Sequence, residues 1–159
     1  MSIQSGGRPF RRTKMISLKF CRISFLACAI LVIVIALMVA ICVIPSVRTD
    51  TFPGSSPESA VPAFWFNVAC NAVAATVFLA LAIRAKGRSV LAKIVVTFMG
   101  LLLLFLAFAF IDAWAAYVSE GPAMHVTSII LFICSVASFI AAVLGITTVF
   151  LLPKHQERA

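Results

Sequence analysis

The residue most suited to chemistry is an acid that lies inside a long apolar stretch. Asp112 is the only acidic residue within the four apolar runs of this 159-residue chain. Ionisable groups inside a membrane span are costly and are functional candidates by default. Asn67 and Asn71 lie one turn apart on one face of the second run, and Ser128 is near the start of the fourth. These four residues are predicted to form a polar cluster of one carboxylate, two amides and one hydroxyl.

The position of Asp112 along its run sets the depth of this cluster. It follows Ile94 by a distance of ~27 Å in a helix that rises ~1.5 Å per residue, which places it near the outer edge of the hydrocarbon. Ala109 and Ala116 precede and follow it at helical spacing, so the carboxylate is expected to point into the bundle. Three interpretations stay open: a structural hydrogen-bond cluster, a proton- or cation-coupled site, and an interfacial acid with no special partner.

Other kinds of reactive site find little support in the residues. Intramembrane haem ligation needs histidines inside helices, but His125 lies in a predicted turn and His155 in the tail. The five cysteines form no CxxC pair, and no cluster has the spacing of a zinc site. We therefore expect no enzyme activity, no metal and no cofactor. Cys21 lies between Lys19 and Arg22 at a membrane boundary, which makes it a possible S-palmitoylation site.

The elements that position these residues are predicted from hydropathy. Hydrophobic residues make up 63% of the chain and its mean hydropathy is +1.15, whereas soluble domains are roughly 45–50% apolar. A helix needs ~20 apolar residues to cross the bilayer core. The sequence predicts four such helices, at about 23–44, 62–83, 94–118 and 126–152. Short loops join them, so the expected fold is an all-α integral membrane protein, an up-down-up-down four-helix transmembrane bundle.

Charge predicts the orientation of this bundle. Twelve of the thirteen basic residues fall before the first run, between the second and third, or after the fourth; the exception is Arg48. The positive-inside rule then places both termini in the cytoplasm. The predicted organisation is a basic cytoplasmic arm (1–22), a four-span membrane domain (23–152) and a cytoplasmic tail (153–159). The arm is expected to contact anionic lipid headgroups through six cations: Arg8, Arg11, Arg12, Lys14, Lys19 and Arg22. The arm lacks the interleaved aromatic residues that would suggest nucleic-acid binding, so no nucleic-acid partner is expected.

Small residues predict how the helices associate. Helices in lipid pack through close approach of small side chains and through polar contacts. The fourth run carries such a series at 3–4 spacing, and its small members form a predicted packing seam: Ser135, Ser138, Ala142 and Gly145. Self-association of the protein through this seam is the mode of assembly that the sequence favours.

The layout resembles the MARVEL-like tetraspan membrane proteins, the group that includes physins, occludin-type proteins and several plant and fungal tetraspans. The shared features are four spans, short loops, cytoplasmic termini and a basic residue, Arg22, where the first span begins. The stretch FIDAWAAYVSE, Phe110 to Glu120, is similar to the acid and small-residue pattern of plant members. The resemblance implies a non-enzymatic role in organising membrane subdomains through lateral self-association.

Two alternatives of other classes remain at this stage. The first is a small transporter or channel subunit that uses Asp112 with Asn67 and Asn71. The second is an accessory anchor subunit of a larger membrane complex. The expected partners are the lipid bilayer and either further copies of the chain or other membrane proteins. A plasma membrane or endomembrane location is favoured, and the basic arm also suits the mitochondrial inner membrane.

Overall fold

A computed structural model describes residues 9–49, 57–84, 90–120 and 126–150 of the protein. These residues form helices throughout. The helices are α1 (Pro9–Met38), a π-helical turn (Val39–Val43), α2 (Ile44–Thr49), α3 (Pro57–Arg84), α4 (Val90–Glu120) and α5 (Val126–Phe150). Four of the resulting segments are long and apolar enough to cross a membrane: Lys19–Arg48, Glu58–Ile83, Val90–Ser119 and Val126–Phe150. The prediction of an all-α chain with four membrane-length helices is confirmed.

The first span is longer than the sequence suggested at both ends. Its helix begins at Pro9, well before the predicted start at residue 23. Proline is favoured in the first turn of a helix, where its missing N–H has no partner to lose, and the residues that follow include strong helix formers such as Arg, Lys, Met and Leu. The part of the basic arm from residue 9 onward is therefore helical, and Arg8 lies outside the described residues.

The other difference is at Pro45, because the first predicted helix ended at residue 44 and a loop was expected before the second began at residue 62. The chain instead stays helical through Pro45 to Thr49, and the next helix begins at Pro57. A proline inside a helix removes one backbone hydrogen bond and collides with the carbonyl one turn earlier. The π-helical turn Val39–Val43 directly precedes Pro45 and widens the helix at that point. Ser46 Oγ donates to the Cys42 carbonyl oxygen, one turn earlier, at 2.8 Å.

The four spans pack in a ring with unequal neighbours. The α4–α5 pair and the α1–α3 pair have the most extensive contacts, α1 and α5 join the two pairs, and α3 and α4 contact each other least. The Phe25 and Phe78 rings stack between α1 and α3 with centroids 6.3 Å apart. Trp114 and Phe132 meet between α4 and α5 at 5.4 Å. Of the four spans, α3 has the smallest buried share.

The small residues of α5 lie inside this ring. Ser135, Ser138, Ala142 and Gly145 are all buried within the single chain. A Cβ on Gly145 would lie 3.1 Å from the Phe78 ring, so glycine leaves room for that ring to reach from α3 to α5 across the bundle. The predicted seam thus serves packing within one chain, and its surface is not free for a second copy. Self-association through this seam, which the sequence favoured, is corrected by this arrangement.

The apolar core divides into two clusters along the bundle axis. We call the end that holds Lys19, Arg22 and Lys93 the basic end, and the other the opposite end. The basic-end cluster is centred on Phe78 and includes Phe25, Val32, Val96 and Leu103 among its members. The opposite-end cluster includes Ile35, Phe64, Phe110, Tyr117 and Leu131. Between the two clusters, α3 and α5 carry buried polar residues, which define the candidate site.

The packing at Gly145 gives a first prediction. Gly145→Leu inserts a side chain where the Phe78 ring already lies, and overpacking of this kind costs about 1–3 kcal/mol. We expect a lower midpoint of thermal unfolding in detergent micelles. Combination with Phe78→Ala removes the ring that the new side chain meets, so the two changes should be strongly non-additive.

The matched control is Ala27→Leu. Ala27 is exposed on α1, so this substitution adds the same leucine side chain outside the core. It should leave the midpoint unchanged. Equal midpoints for Gly145→Leu and Ala27→Leu would contradict the described contact between α3 and α5.

Candidate functional site

Four polar side chains separate the two apolar clusters at the middle of the bundle. On α3, Asn67 and Asn71 lie between Phe64 of one cluster and Ala74 of the other. On α5, two serines lie between Cys134 and Ala141 of the same two clusters. We call this set the mid-span polar layer, and its members are Asn67, Asn71, Ser135 and Ser138. All four are buried, and Asn71 and Ser138 are 0% exposed.

The two asparagines form a hydrogen-bonded pair on one helix. Asn71 Nδ2 donates to the Asn67 backbone carbonyl at 2.9 Å and to Asn67 Oδ1 at 2.7 Å. They can meet because residues four apart lie one above the other on a helix. Both amide hydrogens of Asn71 are thereby used. The opposite assignment of the Asn71 amide would place its oxygen against two acceptors, so the hydrogen-bond network fixes the orientation of the group.

Ser135 connects this layer to α4. Ser135 Oγ donates to the Ala107 carbonyl oxygen of α4 at 2.9 Å. One turn beyond Ser138, the Cys28 thiol of α1 donates to the Ala141 carbonyl oxygen at 3.6 Å, a weak hydrogen bond. Helices in a membrane associate through such contacts, each worth about 0.6 kcal/mol on average. The mid-span layer therefore supplies a directional contact between α4 and α5, and the basic-end cluster adds a weaker one between α1 and α5.

Asp112 does not belong to this layer. Its side chain is exposed on the outer surface of α4, while Asn67 and Asn71 are buried. Of the predicted cluster of Asp112, Asn67, Asn71 and Ser128, the structure shows the two asparagines in contact, and the expected inward orientation of Asp112 is corrected. Ser128 is 3% exposed near the start of α5.

The reason is the spacing of the buried face of α4. Val96, Leu103, Phe110 and Tyr117 are buried at intervals of seven residues, which marks one continuous face of the helix. Asp112 follows Phe110 by two positions and so lies on nearly the opposite side. The alanines at 109 and 116 suggested a buried face, but Ala109 is exposed. The third span is apolar all round, so its sequence does not indicate which side faces the bundle.

The remaining predicted sites lie near the basic end. Lys19 and Arg22 are exposed on α1, and the backbone of Arg11, Arg12 and Lys14 is part of the same helix. Cys21 is half-buried beside Arg22, and all five cysteines are free thiols. These positions suit contact with headgroups and acylation at Cys21, both of which stay predictions. Among the described residues, no three His, Cys, Asp or Glu side chains group as metal ligands would.

Sequence reasoning placed the serines in a packing seam and the asparagines in a separate cluster near the outer edge. The structure brings both pairs to one depth. Asn71 lies seven residues before Phe78, and Ser138 lies seven residues before Gly145. Once Phe78 is known to contact Gly145, this equal spacing indicates that Asn71 and Ser138 lie at one depth. The missing information was which faces of the second and fourth spans are turned toward each other.

The comparisons with known proteins add no relative: no family model, no curated protein and no solved structure matches this chain. The chemistry of the layer must be read from its own groups. Its side chains are amides and hydroxyls, which donate and accept hydrogen bonds but do not titrate in the ordinary pH range. This arrangement can hold helices in register and can bind a neutral hydrogen-bonding molecule.

The different surroundings of Asn71 and Asp112 give a second prediction. Asn71→Leu removes two hydrogen bonds and leaves Asn67 Oδ1 without its donor, so unfolding in detergent should become easier by about 1 kcal/mol. Asp112→Leu changes an exposed surface and should shift stability by less than about 0.5 kcal/mol. Equilibrium unfolding in mixed micelles measures both. If Asp112→Leu destabilises as much as Asn71→Leu, the carboxylate has a structural partner.

Proposed function

We propose that this is a non-enzymatic four-span membrane protein that organises a membrane subdomain by lateral self-association. The observation that carries the proposal is the outward face of α3. We call this the α3 small-residue face, and its members are Ala69, Ala72, Thr76 and Ala80, all of which are exposed. Their 3–4 spacing aligns them along one side of the helix. Small side chains in such a row let two helix backbones approach closely in lipid.

The other spans present a different surface to lipid. Across the middle of α4 the exposed side chains are Leu101, Phe105 and Phe108, which are 57–68% exposed. The outward face of α5 carries large groups such as Phe132, Phe139 and Ile140. Bulky side chains pack well against acyl chains but keep helix backbones apart. The α3 small-residue face is therefore the surface best suited to contact another helix.

The packing of the ring also favours contact at α3. This span is the least buried of the four and barely touches α4. Thr76 Oγ1 donates to the Ala72 carbonyl oxygen at 2.8 Å, so its hydroxyl is satisfied within its own helix. A second copy that offers the same face would form a symmetric contact, in which each helix supplies the groove for the other.

The membrane orientation and the resemblance to MARVEL-like tetraspans belong to the same proposal. Cytoplasmic termini would place the basic end against the anionic leaflet, where each cation near the surface contributes about 1 kcal/mol. The exposed Lys19 and Arg22 suit this contact. The proposed assembly would then present a band of positive charge along one face of the membrane and would enrich anionic lipids beneath it.

No specific structural observation favours either alternative function, the transporter or channel subunit or the accessory anchor subunit. The transporter or channel subunit relied on Asp112 acting with Asn67 and Asn71, and Asp112 lies on the exposed surface away from them. The anchor subunit needs a surface for a different protein, and the α3 small-residue face could serve that purpose too. The experiment below separates self-association from hetero-association.

The α3 small-residue face gives the third prediction. The double variant Ala72→Leu, Ala80→Leu fills the row with bulky groups, so oligomers of the protein should dissociate at several-fold higher protein concentration in mild detergent or liposomes. Single-molecule photobleaching in liposomes at defined protein density measures the distribution of oligomers. The monomer should stay folded, because both positions are exposed.

Two further variants make the test specific. Ala27→Leu is the matched control, because it adds the same side chain to an exposed alanine on α1, and it should leave the oligomers intact. A wild-type protein that is monomeric at every density would overturn the proposal. Monomers in the purified protein that assemble only with a co-purified membrane protein would support the anchor subunit instead.

The orientation gives the fourth prediction. Tags at Met1 and at Ala159 should both be protected from protease added outside intact cells, because both termini are expected in the cytoplasm. A tag placed in the segment between α2 and α3 should be cleaved under the same conditions. Cleavage of only one terminal tag would show an odd number of crossings and would contradict the proposed topology.

A further inference from the structure

Two fully buried polar atoms in the mid-span polar layer have no hydrogen-bond partner among the described residues. They are Asn71 Oδ1 on α3 and Ser138 Oγ on α5. Both residues are 0% exposed and lie near the midpoints of their helices. In the hydrocarbon region an unsatisfied polar group costs several kcal/mol, because no solvent water can reach it. A pair of such atoms at one depth calls for a physical explanation.

The two atoms lie in the same layer. The Phe78 ring of α3 packs against Gly145 of α5, where an added Cβ would lie 3.1 Å from the ring. Asn71 and Ser138 each precede these residues by two helical turns, which corresponds to ~10 Å along the axis. Because α3 and α5 run in the same direction, equal offsets reach the same depth. Asn71 and Ser138 are also both fully buried, so each is turned into the ring.

The direction of the Asn71 oxygen is fixed. Its Nδ2 group donates both hydrogens to Asn67, which lies toward the opposite end. Oδ1 is consequently turned away from Asn67 and remains an acceptor with nothing to accept from. Ser138 Oγ can both donate and accept. The neighbouring Ser135 has no such need, since it donates to the Ala107 carbonyl oxygen.

The adjacent layers show why there is room between the two groups. In the next layer toward the basic end, the whole Phe78 ring extends from α3 to reach Gly145. In the next layer toward the opposite end, Phe64 and Leu131 lie seven residues before Asn71 and Ser138, and both are buried. Asparagine and serine together fill less volume than phenylalanine with glycine or phenylalanine with leucine. The Asn71–Ser138 layer thus has less side-chain volume than the layers on either side of it.

We infer that a buried water molecule binds at mid-span and bridges Asn71 Oδ1 and Ser138 Oγ. The water donates one hydrogen bond to the asparagine oxygen. It forms a second with the serine hydroxyl, which can act as donor or acceptor. Buried waters in proteins usually make 2–4 such bonds to groups that would otherwise be unsatisfied. This water would join α3 to α5 across the ring, where the protein alone supplies an aromatic contact and no direct hydrogen bond between these two layer residues.

The site is independent of the proposed self-association, because it is internal to one chain. It also gives the mid-span polar layer a defined ligand, which is a neutral hydrogen-bonding molecule and not a cation. The layer holds no acidic or basic side chain that would stabilise a charge: its members are two amides and two hydroxyls. Water fits this chemistry and this depth.

The sequence offers a direct experiment, since Asn67 and Asn71 are its only asparagines. Protein grown with ¹³C,¹⁵N-asparagine and reconstituted in liposomes gives two side-chain Cγ signals in solid-state NMR. Labelled valine assigns Asn67, because Val68 follows it and Ala72 follows Asn71. Transfer of magnetisation from water protons should reach the Asn71 Cγ several-fold faster in wild type than in Ser138→Ala, which removes one of the two partners of the water.

The matched control is Ser135→Ala, which removes a serine one turn away whose hydroxyl already has a protein partner. It should leave transfer to Asn71 as in wild type. Thermal unfolding of each variant checks that it is folded. Slow transfer to Asn71 in the wild type would overturn the inference, and so would fast transfer that Ser138→Ala does not change.

A second measurement tests the geometry separately. Cysteines introduced by Asn71→Cys and Ser138→Cys, in a chain whose five native cysteines are replaced, should be bridged by a short bifunctional thiol reagent. Asn71→Cys paired with Phe139→Cys is the control, because Phe139 is 53% exposed on the outside of α5. Equal bridging of the two pairs would show that Asn71 and Ser138 do not share a layer.

Discussion

The physical constraint on which this structure depends is the satisfaction of polar groups inside an apolar surrounding. Four long apolar helices can hide their backbone hydrogen bonds within themselves, and in lipid no hydrophobic force holds one helix to another. Specific pairing must come from close packing and from the few polar side chains present. In this protein four of them, Asn67, Asn71, Ser135 and Ser138, form the mid-span polar layer between two apolar clusters.

This arrangement explains the unequal ring. Small residues on α5 allow close contact with α4, and Ser135 adds a hydrogen bond to the Ala107 carbonyl oxygen. The Phe78 ring fills the space beside Gly145 of α5 and stacks on Phe25 of α1. Phe78 thereby joins α3 to both of these helices. Little remains to join α3 to α4. The row of small side chains on the outward side of α3, Ala69, Ala72, Thr76 and Ala80, stays exposed, and this row is the basis of the proposed self-association.

The π-helical turn before Pro45 shows the same constraint acting on the backbone. A proline inside a membrane-length helix leaves a carbonyl without its donor, and lipid offers no substitute. The helix widens at Val39–Val43, and the Ser46 hydroxyl donates to the Cys42 carbonyl oxygen. The first span can in this way continue past a residue that commonly ends a helix. Sequence reasoning placed a loop there because proline in a turn-rich stretch usually marks one.

The sequence alone determined the number, type and approximate extent of the spans, because transfer of about twenty apolar residues into lipid depends on composition and length. It also identified Asn67 and Asn71 as a pair, since residues four apart on a helix meet whatever surrounds them. It did not determine which side of each helix faces its neighbours. In lipid both sides of a span are apolar, so hydropathy carries no inward signal, and the alanines beside Asp112 suggested the wrong face. Only the tertiary structure placed Asp112 on the outer surface of the bundle and Ser138 at the depth of Asn71. Both positions follow from side-chain packing between helices that are distant in sequence.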